Sequence, residues 1–156
     1  MAYNVADLLK KFIAMKKGAY NLYMGIASNG RVDEKCKTAA RVLAREENRY
    51  MKLYEDMKNN IINSAKNHDI SIDIYDKSAK LFMEFSKRHS SININSVREL
   101  LQYAMDYEKD SLAIILSVQG LLVGEYNYVE TEGYKILSEI IKEQEKHIKN
   151  IETFIK

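Results

Sequence analysis

LAREENRYMKLYEDM, from Leu43 to Met57, sets Leu43, Tyr50, Tyr54 and Met57 at spacings of seven, four and three. That spacing gathers four side chains on one stripe of an α-helix, the stripe that faces a core. Glu47 falls on the same stripe, between Leu43 and Tyr50. A carboxylate among apolar side chains is costly to bury unless a partner neutralises or hydrogen-bonds it. What Glu47 faces therefore decides the fold.

Working outward, the chain has no proline, and its six glycines fall mostly near expected helix ends. With neither breaker inside the long periodic segments, an all-α protein is the natural reading. Four long helices are expected. They run from about Asn4 to Ala27, from Asp33 to Ile62, from Asn95 to Gln119 or beyond, and from Thr131 to the C-terminus. Asn4 followed by Asp7 supplies a cap for the first, and Gly120 with Gly124 is expected to loosen the end of the third. SNGR (Ser28 to Arg31) reads as a turn. A shorter helix, Asp73 to His89, lies in the crossover between the second and third. The preceding DISIDIYD alternates Ile and Asp, as a short extended piece would, and is read as a connector. AMKKGAYNLY in the first helix and AMDYEKDSLA in the third show a mild internal similarity. One domain, residues 1–156, is expected, built of two helical hairpins packed into a four-helix bundle.

The seams of these helices follow alternating spacings of three and four. The first reads Leu9, Phe12, Lys16, Ala19, Tyr23, Ile26; the second Cys36, Ala40, Leu43, Glu47, Tyr50, Tyr54, Met57, Ile61. The third reads Val97, Leu101, Ala104, Glu108, Ser111, Ile115, Val118, Leu122; the fourth Leu137, Ile140, Gln144, His147, Ile151, Phe154. Each is apolar except for one polar step at mid-length: Lys16, Glu47 with Tyr50, Glu108 with Ser111, and Gln144 with His147. Taken singly, these residues have ordinary explanations. A glutamate on an apolar stripe is more often a rim residue or a lysine's partner than a ligand, and a lone histidine is more often a satisfied core residue. Tyr50 and Tyr54 read as packing aromatics whose hydroxyls reach a partner. One polar step per seam, at compatible heights, predicts that Glu47 faces Lys16, Glu108 and His147.

Composition narrows the function classes. With 46% hydrophobic and 29% charged residues and a net charge of +2, acidic and basic residues interspersed, the chain resembles an ordinary globular protein and not a nucleic-acid binder. The longest apolar stretch, LAIILSVQGLLVG, is too short to span a bilayer. The opening MAYNVADLLKKF lacks the pattern of a secretory leader, so a cytoplasmic protein is expected. A single cysteine, Cys36, excludes an internal disulfide and a four-cysteine metal module. No phosphate loop or nucleophile–base pair is evident. His68 with Asp69 and Asp73 reads as a solvated connector, and His89 beside Lys87 and Arg88 as a cationic helix C-terminus.

These motifs resemble the ferritin-like superfamily, most closely its rubrerythrin-like di-iron carboxylate branch, over essentially the whole chain. In that family, glutamates and Glu-x-x-His pairs project inward from four helices to hold two metal ions. LAREENRY is similar to the second-helix motif, with Glu47 in place and Tyr50 where histidine belongs. AMDYEKDS matches the third through Glu108. EIIKEQEKHIKNI matches the fourth through His147, with Gln144 at the glutamate position. In the first helix Lys16 stands at the glutamate position, and no Asp or Glu occurs between Asp7 and Asp33. The resemblance thus implies a ferritin-like bundle with the crossover helix, a homodimer, and a metal site of which Glu47, Glu108 and His147 survive.

Charge counting bears on that site. A complete set of four carboxylates and two neutral histidines carries about −4, which two divalent cations neutralise. Here Glu47 and Glu108 give −2, and a protonated Lys16 brings the pocket to −1 with no metal present. Protonating His147 as well makes it neutral. Three outcomes stay open: a metal-free Lys–Glu–His network with no cofactor, one divalent metal such as iron on Glu47, Glu108 and His147, or a working iron-dependent oxidoreductase acting on peroxide or dioxygen. The leading expectation is a non-catalytic or altered member of the group with a structural or partner-binding role.

Overall fold

The computed structural model describes residues 3–64, 67–90, 92–126 and 132–155. Among them the chain is helical almost throughout, with α1 over Val5–Ala27, α2 over Glu34–Ile61, α3 over Ile72–Arg88, α4 over Val97–Tyr126 and α5 over Glu132–Ile155. Thr131, the expected start of the last helix, lies outside the described residues, as do Ala65, Lys66 and Ser91 of the two connectors.

Local chemistry places the helix starts. Asn4 and Asp7 form a reciprocal capping box: the Asn4 side chain accepts from the Asp7 amide at 3.1 Å, and Asp7 accepts from the Asn4 amide at 2.9 Å. Asp33 caps α2 through the Cys36 amide, and Ser71 caps α3 through that of Ile74. Before α4, Ser96 accepts from the Glu99 amide, and the Glu99 side chain accepts from the amide of Asn95. The α4 helix then runs without interruption through Gly120 and Gly124. The expected loosening there does not occur, because glycine weakens a helix without breaking it when the flanking turns are packed, here by Val118 and Leu122.

The connector after α2 has a role that the sequence reading left out. Asp69–Ile70 (β2) pairs antiparallel with Tyr3–Asn4 (β1). His68 then accepts from the Val5 amide at 3.1 Å, and the Asn67 side chain accepts from the Ala6 amide at 3.0 Å. The first amides of α1, which have no partner within their own helix, are satisfied by the chain returning from α2. Tyr3 and Tyr75 stack with ring centroids 3.6 Å apart, pinning the same corner to α3.

The α1 helix packs along α2 and α4 along α5, while α3 lies against α4 and α1. Side chains of α1, α2, α4 and α5 interdigitate in one core that includes Leu9, Phe12, Leu43, Tyr54, Ile115 and Ile140. Almost every expected seam residue is buried. The exceptions lie near helix ends: Met57, Val97 and Leu101 are half-buried, and Phe154 is 65% exposed. In the last turn of α5, Phe154 borders open grooves against α2 (Val42, Leu43) and α4 (Val97, Leu101), which leave it exposed. Near the start of α4, Leu100 takes the core position expected of Leu101. Among the described residues, no helix is long and apolar enough to cross a membrane.

Candidate functional site

The four polar steps meet. Lys16, Glu47, Glu108, Ser111, Gln144 and His147 are each at most 3% exposed, although they come from four different helices. The long seams on either side set their depth, since every apolar contact above and below fixes the register of the polar residue between.

Lys16 is the hub. Its Nζ lies 2.9 Å from Glu108 Oε2 and 3.6 Å from Glu47 Oε2. His147 Nδ1 stands 3.4 Å from Glu108 Oε2 and 3.7 Å from Glu47 Oε1. Gln144 donates from Nε2 to the Glu108 carboxylate, to the Glu108 carbonyl at 3.1 Å and to Ser111 Oγ at 2.9 Å. Ser111 donates in turn to the Glu108 carbonyl at 3.0 Å. Tyr54 donates to Gln144 Oε1 at 3.4 Å, and the Lys16 ammonium lies 5.2 Å from the centre of the Tyr50 ring.

Electrostatics divides the two carboxylates. Burial raises the Glu47 pKa well above its ordinary value of 4.5, and neighbouring Glu108 pushes it further, with Lys16 opposing. Burial acts on Glu108 too, but Lys16, Glu47 and His147 together outweigh it and hold Glu108 well below the usual range. Burial would discharge Lys16; Glu108 and Glu47 reverse this and raise its pKa. The geometry explains the split: the ammonium is closer to Glu108, so Glu108 keeps the charge and Glu47 keeps a proton. An ammonium, one carboxylate and one carboxylic acid among Lys16, Glu108 and Glu47 sum to zero. That balance differs from the sequence-level count, which took both glutamates as ionised.

Tyr50, at the position where the resemblance places a histidine, stacks on the His147 ring at 4.6 Å between centroids, with the Arg49 guanidinium 4.5 Å from its own centre. Tyr54 reaches a partner as the seams implied. Tyr107 is absent from the expected seam, although it stands three residues after Ala104 and four before Ser111, a signal that could have found it. Its hydroxyl donates to the Met15 carbonyl at 2.6 Å, tying α4 to α1 at the residue next to Lys16. The Tyr23 hydroxyl is buried without a hydrogen-bond partner, and burial raises its pKa. His68 and His89 stand apart from this cluster; His89 binds Asp110 at 2.8 Å.

Glu47, Glu108 and His147 each bring one donor atom to within 4.8 Å of the others. Among the described residues, both Glu47 oxygens, Glu108 Oε1 and both His147 ring nitrogens lack a hydrogen-bond partner, as atoms around a cation would. Three donors of this kind suit one divalent ion. They do not suit two, because Lys16 and Gln144 fill the rest of the pocket with nitrogen-bound protons aimed at Glu108. No family model, no curated protein and no solved structure matches the chain.

Proposed function

We propose that the chain is a ferritin-like four-helix bundle, of the rubrerythrin-like branch, in which an internal ammonium has replaced the metal ions. It serves as a non-catalytic structural or partner-binding module in the cytoplasm. The observation that carries this reading is the Lys16 ammonium 2.9 Å from Glu108 and 3.6 Å from Glu47. A cation placed among the same oxygens would meet that positive charge a few ångströms away, with little solvent to screen it. Two α-helical hairpins and a crossover helix support the fold assignment, and the lone buried thiol of Cys36 suits a reducing compartment.

The partner expected first is a second copy of the chain. Phe154, Ile155 and Val42 are exposed apolar side chains, and Phe154 continues a seam whose other members are buried. Light scattering on the purified protein should give the mass of a dimer, and a monomer at micromolar concentration would remove this part of the proposal.

One further reading has a specific observation in its favour. The partnerless atoms of Glu47 and His147 would be satisfied by a single divalent ion held by Glu47, Glu108 and His147, with Lys16 displaced. Elemental analysis after anaerobic loading with ferrous iron and dialysis separates the readings. No stoichiometric metal is the expected result. One iron per chain would favour the three-ligand site, and two would overturn the replacement of metal by Lys16.

A further inference from the structure

A groove of about 550 Å³ opens between α1 and α3, apart from the Lys16 cluster. It exists because the facing residues Ala14, Gly18 and Ala79 are too small to close it. Met15, Phe82, Phe85 and Tyr107 form its floor. Its volume falls in the range of small-molecule sites, roughly 300–1,000 Å³.

Asn21 and Ser86 in the groove lining are solvent-exposed, while Tyr107 and His89 are already committed. Tyr107 donates to the Met15 carbonyl at 2.6 Å. His89 holds Asp110 through Nε2 at 2.8 Å and faces the Tyr103 hydroxyl through Nδ1 at 3.4 Å. What these side chains offer to the groove is ring surface, not hydrogen bonds. One end differs. The Lys11 ammonium lies 5.1 Å from the centre of the Tyr75 ring and 5.6 Å from that of Phe82, with no carboxylate pairing it among the described residues. From Lys11 to Leu22 the α1 wall rises eleven residues, about 16 Å of helix.

An elongated apolar trough with one unpaired cation at its end selects a matching shape and charge. We propose that this groove binds a medium-chain fatty carboxylate, its chain lying over Phe82, Phe85 and Tyr107 and its carboxylate on Lys11. Charge complementarity favours the acid over a neutral alcohol, and the enclosed aromatic floor favours a chain over a compact anion. This binding is independent of whether the Lys16 cluster holds a metal.

Decanoate titrated calorimetrically into the whole protein provides the test, with decanol and decyltrimethylammonium as probes of the same chain and different heads. One decanoate per chain should bind, more tightly than either control. Lys11→Gln should weaken it about fivefold, as loss of a half-exposed ion pair does. Ala79→Trp, which fills the groove, should abolish binding while circular dichroism and the melting temperature confirm a folded protein. No binding by the unmodified chain would overturn the proposal, as would decanoate binding unaffected by Ala79→Trp. Equal affinity for decanol and decanoate would overturn the role of Lys11. If Ala79→Trp instead changed the molecular mass in light scattering and decanoate did not bind, the groove would be a contact between copies of the chain.

Discussion

Lys16 lies at the centre of the polar cluster, and the consequences of removing it are specific. Taking away one partner of a buried ion pair leaves the other charge stranded, at a cost of about 3–5 kcal/mol. Lys16→Met should therefore lower stability by that amount in chemical denaturation, despite adding an apolar side chain to an apolar surrounding. A neutral effect would mean that Glu108 does not depend on Lys16. The two glutamates should also answer pH with opposite signs. Glu47 has a raised pKa, so its contribution is complete below its ordinary 4.5 and erodes as pH rises through its folded-state value. Glu108 has a lowered pKa, so its contribution is present above 4.5 and lost as pH falls. Glu47→Gln keeps the shape of a neutral acid and removes the first dependence. Its stability relative to the unmodified protein should rise over the pH range above 4.5 in urea denaturation. An unchanged difference across that range would place the proton elsewhere in the cluster.

At the level of elements, the seams were legible because burial repeats with the helix, and one substitution in a long periodic run stands out. Lys16, Glu47, Glu108 and His147 were found this way, and all four are buried together. Which glutamate keeps its proton was not legible, since it depends on tenths of an ångström between Lys16 and its two neighbours. The Tyr107 hydrogen bond to Met15 and the β1–β2 pairing were missed because each is a contact between segments distant in sequence, which local periodicity cannot register. The seam reading puts Phe154 in the core because spacing along one helix does not show how closely its neighbours pack at the helix end. Two predictions belong at this scale. Gly120 and Gly124 sit inside α4, and an added Cβ at either meets nothing within 4 Å. Gly120→Ala and Gly124→Ala should each stabilise by about 0.5–1 kcal/mol, as thermal denaturation would show. Asn4→Ala removes the side chain that accepts from the Asp7 amide and should cost about 1 kcal/mol. A larger loss would indicate that the connector at His68 and Asn67 is released with it.

For the whole molecule, four helices converge on a polar cluster in which the charges of Lys16, Glu108 and Glu47 sum to zero without an added ion. A metal site would need those charges left unbalanced until the ion arrives, and Lys16 balances them as soon as the chain folds. The buried carboxylates can then be held in the core with no ion present. Removing the ammonium should restore the need for a cation: Lys16→Ala leaves Glu108 without its partner beside Glu47 and His147, and vacates the space between them. The most direct measurement is the thermal unfolding midpoint of the unmodified protein and of Lys16→Ala, each with and without excess cobalt(II). A ligand that binds only the folded state raises its midpoint. The expected result is an unmodified midpoint that cobalt does not move, and a lowered Lys16→Ala midpoint that cobalt raises. If cobalt raised the midpoint of the unmodified protein as far as that of the variant, Lys16 would not stand in place of the metal.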